Sequence, residues 1–360
     1  NFFRGIAFSL QQKALTLDAF ASYRVLDADT TGQKFSSVYK TGYHRTDNEI
    51  RKKHSLQQFV SGIHLKYKHD RFETGVSTYH TLFHLPLEQT GYPYQYFQFS
   101  GRQQNGISIH YRTVYRIFQL YGEVALTAKD AMALLQGCTF SPADAVELTA
   151  IYRNYSPRYN GILASAFGEG SKVNNEEGMY LGGVWQPAYG WKTNFYADFY
   201  RFPWIRYNAD TPGFGKDFQF GFQYQPHADF QISGRLKTEE SVETLHQQGY
   251  LTEQLIRAGR ISLKGNSTYR AGLLEISNGI VLQHTEKEGV GSSGFALYQG
   301  VDYKHDSGRY RIGGRITFFD AVNYDNRIYL YEDDILHAFS VPMLSGRGRR
   351  MYVYLQYKFP

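Results

Sequence analysis

The sequence predicts an all-β chain that forms a transmembrane antiparallel up-and-down β-barrel of roughly 16–18 strands. Three observations predict this fold class: long segments alternate apolar and polar residues, short turns alternate with long connections, and aromatic residues are abundant. The chain has 31 Tyr and 26 Phe among 360 residues, and strands accept both types well. All of residues 1–360 are assigned to one outer-membrane barrel domain, because the chain has only 10 Pro and shows no linker.

Alternation with a period of two is the clearest pattern. In residues 218–225, four aromatic residues alternate with Gln and Gly, and similar patterns cover residues 118–126, 191–199 and 230–237. Successive side chains of a strand point to opposite faces, so each segment has one apolar and one polar face. Several segments exceed the roughly 5–6 residues that are usual for strands. This length favours a membrane barrel over a soluble sandwich.

Short turns and long connections follow one another along the chain. Short turns are predicted near Gln11–Lys13, Lys68–Asp70, Thr113–Tyr115, Ser141–Ala143, Ala188–Gly190, Pro226–Ala228, Gly265–Asn266 and Asp306–Ser307. Long connections are predicted at Asp27–Ser55, Leu85–Arg102, Ser156–Glu177, Tyr207–Lys216, Thr238–Thr252, Gln283–Ser293 and Val322–Arg350. Bacterial barrels have short periplasmic turns and longer extracellular loops. These divisions give about 17 strands, so an even-stranded barrel is expected to have an N-terminal portion before Asn1, unless one division is wrong.

Composition excludes several other classes. The mean hydropathy is −0.47, and the sequence contains no run of about 18 apolar residues that would cross a bilayer as a helix. Cys138 is the only cysteine, so a disulfide framework and a thiolate metal cluster are both excluded. The charge of +6 and the pI near 9.0 suit nucleic acid, an anionic ligand or lipid headgroups, and do not decide among them.

The last strand predicted from the sequence ends on an aromatic-x-aromatic pattern. Met351, Val353, Leu355, Tyr357 and Phe359 alternate with polar and Tyr residues. Tyr357 and Phe359 resemble the signal that the barrel-assembly machinery recognises, although its usual glycine is missing and Pro360 follows. The expected partners are therefore outer-membrane lipid and, during biogenesis, this machinery.

Segments near both ends carry a resemblance to a known family. They are Arg4–Ala7, Ser22–Ala28, Phe35–Ser37, Thr41–Thr46, Glu49–Ile50, Arg327–Glu332, Phe339–Pro342 and Gly346–Gly348. These segments resemble the barrel portion of helix-hairpin-helix domain outer-membrane proteins of Bacteroidota. The resemblance implies a periplasmic helix-hairpin-helix region before the barrel, and it assigns no activity. This sequence has no such motif, so DNA binding is not carried over and nucleic acid is not an expected partner of this chain.

Charged residues at polar strand positions are candidates to face the lumen. They are Arg24, Lys66, Arg112, Glu123, Arg153, Lys192, Asp198, Arg235, Lys237, Arg311 and Arg315. Positive residues outnumber negative ones, so an open lumen of this composition would prefer anions. In the alternative interpretation, these residues pair across strands and fill a lumen that conducts nothing. The sequence leaves both interpretations open.

Two groups of residues are candidates for contact with a partner through loops. The polar group is His44, Asp47, Glu49 and His54, and the aromatic group is Tyr92, Tyr94 and Tyr96. The spacing of the polar group matches no established metal site, and Thr46–Glu49 instead predicts the cap of a short surface helix. We predict no metal site. Tyr115, Tyr189, Trp191 and Tyr207 suit interfacial aromatic girdles.

Other chemistry has little support in the sequence. Asp27–Gly32 resembles the first half of a calcium loop, but Val38 occupies the position of the required bidentate Glu. No motif places a nucleophile beside a base, and Gly289–Gly294 lacks the Lys of a phosphate loop. We therefore predict neither an enzyme nor a bound cofactor.

The predicted function is a noncatalytic outer-membrane barrel, either a pore or the membrane component of a transport or assembly complex with protein partners in the envelope. The alternative is a sealed structural or adhesion scaffold that binds a partner through its extracellular loops. A third hypothesis, nucleic-acid uptake, rests on the family resemblance alone.

Overall fold

The structure is a computed structural model that describes residues 3–128, 131–207, 209–245, 254–305, 308–334 and 339–359. The described elements are almost entirely β: 18 strands form one sheet, and two short strands form another. The chain divides into two compact units. Unit 1 comprises residues 1–141, 149–180 and 200–213, and unit 2 comprises residues 142–148, 181–199 and 214–360.

The strands of the large sheet are mostly ten or more residues long. They are β1 (Gly5–Gln12), β2 (Leu15–Thr31), β3 (Lys34–Tyr39), β4 (Leu56–His69), β5 (Phe72–Leu87), β6 (Gly101–Tyr115), β7 (Phe118–Ala128), β8 (Ala131–Ala143), β9 (Val146–Tyr155), β10 (Glu176–Trp185), β11 (Trp191–Phe202), β12 (Gly213–His227), β13 (Phe230–Leu245), β14 (Gln254–Ala271), β15 (Leu274–Lys287), β16 (Val290–Lys304), β17 (Tyr310–Ala321) and β20 (Gly346–Tyr357). The small sheet pairs β18 (Ile328–Tyr329) with β19 (Met343–Leu344).

Long antiparallel ladders hold the strands together. The β13–β14 ladder runs without interruption from Phe230 opposite Tyr269 to Leu245 opposite Gln254. Residues directly opposite one another share a face of the sheet, so this ladder fixes which side chains lie together. The exposed apolar row Leu236–Leu263–Leu282 is one result. Such rows suit contact with lipid, while the ladders pair the backbone groups that hydrocarbon cannot solvate.

Local turn signals were misleading at Gly265–Asn266 and at Gln283–Ser293. Gly265–Asn266 was predicted as a turn, but it lies within β14, opposite Gly234 and Ser233. The turn occurs instead at Gly272, where φ is +60°. Gln283–Ser293 was predicted as a long connection, but β15 and β16 continue to Glu288–Gly289, whose φ values of 55° and 74° make a tight hairpin. In both places, pairing with the neighbouring strands outweighs local composition.

The predicted connection 27–55 is partly structured. β2 continues to Thr31 and pairs with β3, the strand by which the sheet exceeds the count of about 17 from the sequence. A six-residue helix, α1 (Asp47–Lys52), follows, and the Thr46 hydroxyl accepts a hydrogen bond from the Glu49 N–H at 3.2 Å. The capped surface helix predicted from the sequence is therefore present.

Short 3₁₀ helices are found at Pro93–Gln95 and Tyr324–Asn326. Among the described residues, no helix is both long and apolar enough to cross a membrane. β13 also continues through residues 238–245 of the predicted connection 238–252. Residues 246–252 of that connection and the predicted turn Asp306–Ser307 lie outside the described residues.

The assignment of the apolar face can be tested in β13. We expect Leu236→Arg to destabilise the folded protein in lipid, because a cation at the middle of a bilayer costs about 2–4 kcal/mol. Gln219→Arg on the neighbouring strand is the control, since Gln219 pairs with Lys237 on the opposite face. Urea unfolding in phospholipid vesicles measures both variants. Equal destabilisation by the two substitutions would contradict the assignment.

Candidate functional site

The residues predicted to face the lumen all lie on strands, on the face opposite the exposed apolar side chains. In β13, for example, Arg235 and Lys237 alternate with exposed Ile232 and Leu236. In β2, Arg24 lies between exposed Tyr23 and Val25. The polar face of each strand therefore contains the residues that the sequence pattern singled out. That this face surrounds an open lumen stays a prediction.

Several of these residues have polar partners. Lys237 Nζ lies 2.9 Å from Asp217 Oδ2, and Arg311 Nη2 lies 2.8 Å from Asp302 Oδ1. Arg24 donates to Gln58 at 2.6 Å. Among the described residues, Lys66, Lys192 and Arg235 make no ion pair. The polar face thus combines paired charges with unpaired cations.

In unit 1, the connection between β9 and β10 folds onto the polar face. We call residues 156–175 the first inner segment. The Ile162 N–H donates to Gln104 Oε1 at 2.9 Å, and the Gln104 amide donates to the Asn160 carbonyl. The Asn160 N–H contacts Thr127 Oγ1 at 3.4 Å. Gln104 and Thr127 belong to the polar faces of β6 and β7, so side chains of these two strands hold the segment by hydrogen bonds.

Apolar contacts reinforce this arrangement. Tyr155 and Tyr159 are buried in a cluster with Ala133, and Ala164 and Val173 of the first inner segment pack against it. A cavity of about 290 Å³ remains between the segment and the strands, and its lining includes the lumen candidate Glu123. The first inner segment is therefore docked on the sheet by packing as well as by hydrogen bonds.

A buried ion pair anchors the end of the first inner segment. Arg153 and Glu176 are 0% and 1% exposed, and Arg153 Nε lies 2.5 Å from Glu176 Oε1. The same carboxylate accepts hydrogen bonds from the Glu169 N–H at 2.9 Å and the Gly170 N–H at 2.8 Å. Arg153 was expected to face the lumen, but here it is covered by the segment. Its chemical role is to position this connection.

In unit 2, the polar faces of β11–β14 form a basic cavity. The cavity has a volume of about 500 Å³. Its polar lining consists of Lys192, Asn194, Gln223, Ser233, Arg235, Lys264 and Asn266. This lining contains three cations and no carboxylate. Lys192 and Arg235 are among the residues predicted to face the lumen. Lys264, which the β13–β14 register places opposite Arg235, was not among them.

In unit 2, the connection that follows β17 also folds onto the polar face. We call residues 322–334 the second inner segment. Asn326 is fully buried and accepts a hydrogen bond from the Thr285 hydroxyl at 2.9 Å. Arg315, a lumen candidate, donates to the Tyr331 carbonyl at 2.6 Å. Glu332 accepts two hydrogen bonds from the Arg350 guanidinium, at 2.6 and 2.9 Å.

Of the four polar loop candidates, His44 and His54 contact one carboxylate, while Glu49 pairs with a different residue. His44 Nε2 lies 2.7 Å from Asp27 Oδ2, and the His54 N–H donates to the same carboxylate at 2.9 Å. Glu49 pairs with Arg45, whose hydrogen bond lowers the pKa of the Glu49 carboxyl. Asp47 begins α1. Within the described part of the chain, no group of three or more His, Cys, Asp or Glu side chains is arranged to hold a metal ion.

The aromatic loop candidates form part of a larger cluster in unit 1. Tyr92 stacks on Tyr94 at a ring distance of 5.7 Å, and Tyr94 meets Tyr207 edge-on at 5.7 Å. Tyr96 lies 6.3 Å from Trp204. Tyr207, expected at an interfacial girdle, thus belongs to a loop cluster. We call these five residues the aromatic cluster; Tyr96 and Tyr207 are 77% and 78% exposed.

The residues predicted as an assembly signal lie at the end of the last strand. Tyr357 closes β20 opposite Tyr310, and Phe359 follows it with 85% exposure. Their rings meet edge-on at 5.0 Å. Recognition by the assembly machinery stays a prediction.

Comparison with known proteins relates the chain to outer-membrane structures. The chain matches no family model and no curated protein. Among solved structures, it is similar to in-vitro folded OmpT, an outer membrane protein of Vibrio cholerae, with 13% identity, coverage of 97% of this chain and 99% of that chain, and a TM-score of 0.41. It is also similar to a chain of the FpvAI–pyocin S2 complex, with 9% identity, coverage of 97% and 58%, and a TM-score of 0.50. An anion-selective porin from Comamonas acidovorans has 8% identity, coverage of 84% and 93%, and a TM-score of 0.39.

At these identities the similarities bear on the fold alone. The predicted fold class, an antiparallel outer-membrane barrel of roughly 16–18 strands, is confirmed by the 18-stranded sheet of long antiparallel strands, and the similarity to the chain of the FpvAI–pyocin S2 complex bears on the same fold. The exposed apolar rows are those that a barrel in the outer membrane would present to lipid. The resemblance to helix-hairpin-helix domain outer-membrane proteins of Bacteroidota finds no support, since no family model matches.

The buried ion pair offers a test of how the first inner segment is held. We expect Arg153→Met to free this segment, because removing one partner of a buried pair costs about 3–5 kcal/mol and leaves the Glu176 charge uncompensated. Brief trypsin digestion of the folded protein, followed by mass spectrometry, measures cleavage after Arg158 and Lys172. We expect faster cleavage at both residues.

Arg201→Met is the matched control. Arg201 pairs with Glu177 at 2.5 Å, but its side chain is 67% exposed, and exposed pairs contribute about 0–1 kcal/mol. Cleavage rates in this variant should stay at the wild-type value. Equal protection in Arg153→Met and the wild type would show that the ion pair does not hold the segment.

Proposed function

We propose that this chain is an outer-membrane pore with a polar, anion-preferring lining that inner segments narrow. The observation that carries the proposal is the exposure of unpaired cations on the polar face. Lys192 and Arg235 are exposed to solvent and have no ion-pair partner among the described residues. An unpaired charge in a dry, filled interior would lose several kcal/mol of solvation. Water at this face supports an open pore over a sealed scaffold.

The inner segments support a pore of restricted width. The first inner segment covers polar positions of β6, β7 and β9 in unit 1. The second covers polar positions of β15 and β17 in unit 2. Each occupies space beside a polar face, so each reduces the room for a permeating solute. A pore of this kind admits small solutes and retards large ones.

A second candidate function is a membrane component that binds a protein partner of the envelope. The aromatic cluster favours it, because aromatic side chains are enriched at protein interfaces and this cluster presents exposed Tyr96 and Tyr207. The two functions are compatible in one molecule. The pore proposal does not depend on the aromatic cluster.

Single-channel recording in planar lipid bilayers tests the pore. We expect steady current steps from purified, refolded protein and, under a KCl gradient, a reversal potential that shows preference for chloride. The unpaired cations produce this preference, and it should weaken in high salt, where the Debye length falls to about 3 Å at 1 M. Folded protein that gives no steady current in any salt would contradict the proposal.

A shortened first inner segment tests the narrowing. Replacement of residues 158–172 with Gly-Ser-Gly keeps Arg153 and Glu176 and removes most of the covering chain, so the conductance should rise. Tyr96→Ala is the control, because Tyr96 contributes to the aromatic cluster and not to the first inner segment. Unchanged conductance in the shortened variant would show that the segment does not limit the pore.

A further inference from the structure

The basic cavity of unit 2 gathers three cations in one lining that has no carboxylate. Elsewhere in unit 2, Arg270 pairs with Glu275 at 2.7 Å and Arg311 pairs with Asp302 at 2.8 Å. In the basic cavity, Lys192, Arg235 and Lys264 share one lining that holds no carboxylate. Three positive charges are thus gathered where no described acidic group neutralises them.

The register makes this arrangement unfavourable by itself. Arg235 lies directly opposite Lys264 in the β13–β14 ladder, and like charges in directly opposite positions destabilise a sheet. Lys237, two residues further along the same face, has two acidic partners: Asp217 and Glu239 lie 2.9 and 2.7 Å from its Nζ. A bound anion between Arg235 and Lys264 would supply the negative charge that Asp217 and Glu239 supply to Lys237.

Neutral donors complete the lining. The Asn266 Oδ1 accepts a hydrogen bond from the Tyr298 hydroxyl at 2.6 Å, which leaves the Asn266 NH₂ group to donate elsewhere. Ser233 lies opposite Asn266 and adds a hydroxyl beside Arg235. A guanidinium, ammonium groups and neutral N–H and O–H donors around one space are the groups that recognise oxyanions.

We propose that the basic cavity is a binding site for a phosphate group, either free or as part of a small solute. Three cations match a group that carries about 1.5–2 negative charges at neutral pH. A carboxylate carries one charge and has two oxygens, so it would leave part of the lining unsatisfied. This proposal extends the proposed pore function, because the cavity would hold an anion as it passes through the pore. Phosphate binding itself does not require conduction.

Isothermal titration of inorganic phosphate into the detergent-solubilised folded chain, at constant ionic strength, tests the site. We expect saturable binding to the wild type and weak, non-saturating responses to chloride and acetate. The double variant Arg235→Gln/Lys264→Gln should raise the dissociation constant for phosphate by about tenfold or more, because hydrogen bonds from charged donors are stronger than those from neutral ones.

The matched control is Lys66→Gln/Lys304→Gln, which removes the same charge from two polar-face lysines outside the basic cavity. Its dissociation constant for phosphate should stay within about twofold of the wild type, since neither lysine lines the basic cavity and salt screens non-specific attraction through net charge. Equal weakening in both double variants would overturn the site, as would equal affinity for phosphate, acetate and chloride.

The two proposals fail in different ways. Channels that conduct while the protein shows no saturable phosphate binding would refute the phosphate site and leave the pore standing. Phosphate binding without any steady current would refute the pore and leave the site standing. Retained β-sheet circular dichroism and heat-dependent migration on gels show that each variant is folded.

Discussion

The antiparallel hydrogen-bond ladder is the constraint on which the rest of this structure depends. Hydrocarbon offers no partner to a backbone N–H or C=O group, so a strand in a bilayer must satisfy both through its neighbours. Once the ladder is fixed, the period of two assigns every side chain to a face. The β13–β14 register therefore places Leu236 beside Leu263 and, one position along, Arg235 beside Lys264. The lipid contact and the basic cavity are two results of one register.

The same constraint explains how the inner segments are accommodated. A segment that leaves the ladder must find other partners for its backbone groups. The first inner segment finds them in Gln104, Thr127 and Glu176, and the second in Arg315 and Arg260. These polar strand residues therefore have two roles. Some are exposed to solvent, while others form hydrogen bonds with backbone groups of the inner segments.

The sequence predicts the faces well because alternation is a local property. The positions of Lys192, Arg235 and Lys237 on polar faces follow from their immediate neighbours alone. Turn positions were less predictable: Gly265–Asn266 has the composition of a turn, but pairing with β13 and β15 keeps it extended. The length of β15 and β16 was missed for the same reason.

Long-range placement was beyond the sequence in physical terms. The burial of Arg153 depends on where residues 156–175 fold, and no local pattern encodes that contact. Lys264 lies in the basic cavity because it is opposite Arg235 of β13. That pairing can be identified only when the register of the strands is known. The aromatic cluster similarly brings Tyr94 and Tyr207 together from distant connections. The sequence therefore predicted which residues are polar strand positions, and the structure showed which of them meet.

The most direct test of the account is thiol accessibility along β13 in lipid vesicles. In a Cys138→Ser background, single cysteines at positions 232, 233, 235 and 236 sample both faces of one strand. We predict that a membrane-impermeant thiol reagent modifies Ser233→Cys and Arg235→Cys and spares Ile232→Cys and Leu236→Cys. Modification of all four positions, or of the apolar pair alone, would contradict a strand with one face to lipid and one to water.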